Sequence, residues 1–205
     1  VHAIDVNIGS SNIKILNNDF YDIGAGAVKI NGSPIDGYKS CNTHNITISN
    51  NTITHCGKRY FCACGILSKH SYENTFSNNT ISYLYYTGIS VGWVWGYKDS
   101  ISRDNIIENN YIHHIGQGKL SDMGGIYLLG PQSGTIIRNN LIHDVESKHY
   151  GGWGIYTDEG SSYVIIEKNI CYNISCNGFH QHFGCMNTIR NNIFAKTDME
   201  PVRFS

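Results

Sequence analysis

A chain of 205 residues with a formal net charge of −1 and only 15% charged residues has no basic run to hold nucleic acid or an anionic membrane surface, and neither partner is expected. No apolar stretch approaches the length of a membrane span, so no membrane insertion is expected, and the length suits a single domain over residues 1–205 with a sizeable core. Seven cysteines, at 41, 56, 62, 64, 171, 176 and 185, lack zinc spacing. They favour buried free thiols, with a disulfide left open and no metal or other cofactor implied.

In chain order the elements repeat. NNDF at 17, NNTI at 50, NNTI at 78, NNYI at 109, NNLI at 139, KNIC at 168 and NNIF at 191 set a second Asn at 18, 51, 79, 110, 140, 169 and 192. The intervals are 33, 28, 31, 30, 29 and 23 residues, the spacing of a solenoid. Before each Asn pair lies an alternating strand, as in NITIS, DNIIE and YVIIE, and after it another, as in NYIHHI and NLIHDV. Further on comes a third, usually opened by a glycine and an apolar residue: GAVKI, CGILS, TGISV, GGIYL, WGIYT, NGFHQ and finally PVRFS. Three short period-2 strands per repeat, with Asn and Gly at the bends, predict an all-β right-handed parallel β-helix of about seven coils. Both ends break off mid-coil without an amphipathic cap, so further chain is expected on at least one side.

Aligning the third strands puts Val28, Ile66, Ile89, Ile126, Ile155, Phe179 and Val202 in one inward ladder. The next residue in each then points outward, which places Tyr127 beside Tyr156 and Tyr156 beside His180. Two residues further on, Asp158 should stack on His182. Glu159, one residue past Asp158, is expected as a second acid at the cleft rim, pointing to the opposite side and holding the Gly160-Ser161-Ser162 turn or a substrate hydroxyl. Acids, imidazoles and phenols converge here, with Trp93, Trp95 and Trp153 flanking them. Flat rings beside carboxylates suit a sugar, so Trp93, Trp95, Tyr127, Trp153 and Tyr156 are candidate substrate-binding residues. His113, His114 and His143 fall on another outward face and read as a solvated ladder.

SDMGGIYLLG, YGGWGIYTDEGSS and GFHQHFGCMNTIRNNIF resemble right-handed β-helix proteins of bacterial polysaccharide-degrading systems, nearest the family 141 glycoside hydrolases with their fucosidase and xylanase activities. The resemblance implies a secreted, periplasmic or cell-surface protein and a catalytic pair of aspartates in neighbouring coils, here Asp122 and Asp158. Fully extended, the intervening strand would hold these acids roughly 23 Å apart, so the pair requires Ser121–Gly125 to fold back. The expected function is hydrolysis of glycosidic bonds in an oligo- or polysaccharide, with His180 and His182 orienting the acids and binding hydroxyls. Two alternatives stay open: a polysaccharide lyase on the same scaffold, and a non-catalytic carbohydrate-binding or structural solenoid.

Overall fold

The computed structural model describes residues 1–37 and 41–205. Among these, 22 strands make three sheets of eight, seven and seven strands, and every coil contributes one strand to each complete sheet layer. All pairings are parallel, between a strand and its equivalent one coil away. This is the expected right-handed β-helix architecture.

Each coil turns three times, and each turn is made by a residue in the left-handed backbone region. The first column is Asn17, Asn50, Asn78, Asn109, Asn139, Lys168 and Asn191, with φ between 55° and 57°. A second runs from Asp22 and His55 to Asn173 and Lys196, and a third from Asn12 and Asn45 to Tyr163 and Met186. Asn tolerates this conformation better than other residues with a Cβ, which is why it recurs at the first column. The second Asn of each pair does different work. In Asn110 the backbone N–H and Nδ2 both donate to Asn140 Oδ1 at 3.0 Å, while its own Oδ1 accepts from Asn79. The same bonds link Asn18 through to Asn192, so one amide per coil satisfies buried backbone groups and locks the register.

Inside, Ile66 pairs with Ile89, Ile89 with Ile126, Ile126 with Ile155, and Ile155 with Phe179. All five are fully buried, as is Val28, whereas Val202 in the last coil is 36% exposed. Burying each such side chain stabilises the fold by ~1.5–3 kcal/mol. The glycine before the inward residue has a steric cause: a Cβ on Gly125 would lie 2.5 Å from Ile142 Cγ2, and one on Gly154 would lie 2.9 Å from Cys171 Sγ. Outside the second sheet, Glu108, Arg138, Glu167 and Arg190 alternate in charge from coil to coil, with Nε–Oε2 contacts of 2.6 Å for Arg138–Glu108 and 2.7 Å for Arg190–Glu167. Cys56, Cys64, Cys171 and Cys176 are buried free thiols, in line with the reading from spacing, while Cys62 and Cys185 are exposed thiols.

Candidate active site

A cavity of about 1140 Å³ runs along the outer face of the first sheet. Its floor is the outward column Leu67, Ser90, Tyr127, Tyr156, His180 and Arg203. Residues that precede the strands, among them Tyr86 and Asp122, form one wall. Those that follow the strands form the other, including Trp93, Trp95, Asp158 and His182. Asp122 and Asp158 therefore flank the same floor from opposite sides.

The strand Met123–Leu129 bends locally at Gly124-Gly125. A Cβ on Gly124 would lie 2.9 Å from the Ile126 carbonyl oxygen, whereas two extended residues advance the chain by ~6.6 Å. Asp122 itself is pinned. Its φ is +61°, its N–H donates to Tyr150 O at 3.3 Å, and its carbonyl oxygen accepts from the Tyr86 hydroxyl at 2.8 Å. Gly151 packs so closely that a Cβ there would come within 2.9 Å of Asp122 Cα.

Asp158 sits just past the strand Gly152–Thr157 and is only 7% exposed. Its Oδ1 accepts from the Tyr156 hydroxyl at 2.7 Å and contacts His182 Nδ1 at 2.9 Å, and its Oδ2 accepts from the Tyr127 hydroxyl. The stacking expected from register is thus present: Tyr156 pairs with His180, and His182 N–H donates to Thr157 O, which brings its ring over the acid. Burial opposes the charge on Asp158, but hydrogen bonds from Tyr127, His182 and Tyr156 outweigh it and hold its pKa below the ordinary carboxylate value. Asp122 moves the other way. Burial and then the negative charge of Asp158 push its pKa up, with the His182 imidazole and the Tyr156 hydroxyl offsetting part of the rise. The same acids, together with burial, raise the pKa of Tyr127 and Tyr156 and keep both phenols protonated.

Glu159 borders the same cavity as Asp158, the rim position expected for a second acid, while other expectations need correction. Strand alternation ends at Thr157, and Asp158–Ser161 is already a turn closed by Ser161 N–H to Asp158 O at 2.9 Å. His180 hydrogen-bonds neither acid. Its ring stacks on Trp153 with centroids 4.6 Å apart, and Nε2 reaches only Ser205 Oγ at 3.4 Å. Burial lowers its pKa to about 4, with Arg203 adding to the effect, so it is neutral. Trp153 and Tyr156 line the cavity but are only 7% and 3% exposed and cluster with Cys176, so they build the acid pocket more than they offer faces to a ligand. Trp153 Nε1 donates to Asn177 Oδ1 at 3.0 Å. Trp93 and Trp95 do border the cavity, and Trp95 is 54% exposed.

Two features were not anticipated. The hydroxyls of Tyr127 and Tyr156 serve Asp158, a role that the placement of Tyr156 two residues before it, with Tyr127 paired to Tyr156 one coil away, could have suggested. Tyr86 braces Asp122 through its main chain, and no spacing signal marks that contact.

A family model described as "Right handed beta helix region" matches residues 35–199. The chain belongs to this right-handed β-helix family. Among curated proteins no significant match is found. A solved structure described as "Glycoside hydrolase" is similar to this β-helix over 98% of the chain, with a TM-score of 0.80 and 22% identity. The β-helix spans about a third of that structure, 34% of its length, and at this identity the likeness carries the fold alone.

Proposed function

We propose that this β-helix is a carbohydrate-active enzyme that hydrolyses glycosidic bonds through Asp122 and Asp158. The observation that carries the reading is the opposite displacement of two carboxylates facing one cavity: Asp122 is favoured as the acid, Asp158 as the anion. Protonated Asp122 gives its proton to the departing glycosidic oxygen. Ionised Asp158, on the other wall, attacks the anomeric carbon or takes a proton from the attacking water. His182 and the two tyrosines hold the Asp158 carboxylate in place and ionised, facing the positive charge that builds at the anomeric carbon.

Incubating the protein with a panel of plant and microbial polysaccharides tests this. New reducing ends indicate hydrolysis. Unsaturated, ultraviolet-absorbing ends would replace it with elimination, and retention without products with a binding role. On the polymer that is cut, Asp158→Asn should lower kcat at least about a thousandfold, or ~4 kcal/mol of transition-state stabilisation, with the fold intact by circular dichroism. Near-normal turnover by that variant sinks the assignment.

A further inference from the structure

Between the strands Ile89–Gly92 and Ile106–Glu108 the chain makes a long excursion that starts GWVWGY. It does not hang free. Trp93 N–H donates to Leu129 O at 3.2 Å, one coil on. A Cβ on Gly130 would lie 2.4 Å from Val94 O, and one on Gly160 would lie 1.8 Å from Gly96 O, two coils on. The strap is therefore seated by its backbone on two glycines, the second of them in the turn that carries Asp158. Trp93 has φ of 111°, a conformation that a bulky residue holds only when its surroundings impose it, and such outliers gather at ligand clamps.

The seating decides which indole faces are free. Trp93 is covered on one side by the Lys69 ammonium, 5.0 Å from its ring, and meets Trp95 edge-on at 76° with centroids 5.6 Å apart. Trp95 remains 54% exposed at the cavity rim, on the side of the acids toward the N-terminal coils. We propose that Trp95 is the platform of a separate sugar subsite, so that the ligand is a chain with one unit stacked there while another lies between Asp122 and Asp158. The inference rests on the carbohydrate reading above and adds what that reading lacks: a requirement for a chain rather than a single terminal sugar. The apolar face of a pyranose covers the indole, and the rigid strap fixes the platform before the ligand arrives, so little ordering is needed on binding.

Affinity electrophoresis in native gels containing arabinoxylan, xyloglucan, homogalacturonan or mixed-linkage β-glucan tests this without requiring turnover. At least one polymer should retard the wild type and Asp158→Asn alike. Trp95→Ala should bind that polymer about tenfold more weakly, and Trp95→Phe should recover part of the loss. Equal retardation of Trp95→Ala and wild type overturns the subsite, as does absence of retardation by every polymer. Product analysis run in parallel separates the two ideas. Trp95-dependent retardation without products leaves the subsite standing and removes the hydrolase; products formed with retardation indifferent to Trp95 do the reverse.

Discussion

Asp158 accepts hydrogen bonds from three side chains on three sides, and the Tyr127 hydroxyl contributes the largest of the effects that lower its pKa. Tyr127→Phe removes that donor, so the Asp158 pKa should rise. The acidic limb of the kcat/KM profile, which needs Asp158 ionised, should then move to higher pH, with at least about a tenfold loss of activity at neutral pH. An unshifted limb would mean that Asp158 is not the titrating base. His180 gives a stability prediction at the same scale. Its pKa is about 4 in the folded protein against an ordinary 6.5, so between those values the unfolded chain binds a proton that the folded one does not. Stability should therefore fall as pH drops from about 6.5 and the loss should level off near 4, at roughly 3 kcal/mol. His180→Phe keeps a ring against Trp153 but removes the titration, and thermal melts at pH 7 and pH 5 should differ less for it than for the wild type.

At the scale of the element, the amide ladder carries more than its size suggests. Asn110 is 1% exposed and is bonded to the coils on both sides, with Nδ2 also reaching Phe76 O at 2.9 Å. Asn110→Ala strands Asn79 donors and the Asn140 acceptor in the interior, and should cost about 3 kcal/mol in denaturant unfolding. A loss below ~1 kcal/mol would show that water replaces the amide. This ladder and the inward column beside it were legible from spacing because both recur at one place in each coil. The Asp122 position was not. Whether Ser121–Gly125 folds back is decided by Tyr86 on its carbonyl and Gly151 against its Cα, residues 36 positions before and 29 after it, and no local pattern records them.

For the whole molecule, each coil's strands pair only with those of its neighbours, so local stability should follow the number of coils in contact. Ile126–Leu128 pairs with strands on both sides, while Val202–Phe204 pairs with one and is exposed throughout. In this chain, native-state hydrogen exchange should be at least about a hundredfold faster at 202–204 than at 126–128. Uniform protection would instead indicate that all coils open as one unit.

The unequal repeat lengths have a location. From the ladder asparagine to the next inward residue of the first sheet the chain takes 10 residues between Asn18 and Val28, but 16 between Asn110 and Ile126. Leaving that sheet, it takes 13 residues between Ile66 and Asn79 and 21 between Ile89 and Asn110. The added chain thus borders the strands that floor the cavity, while the three corners and the stacked interior stay constant. Such a molecule separates what must be inherited unchanged from what is free to diversify. A new specificity can be installed by exchanging one wall segment for another, as a locksmith recuts a key without altering its blank.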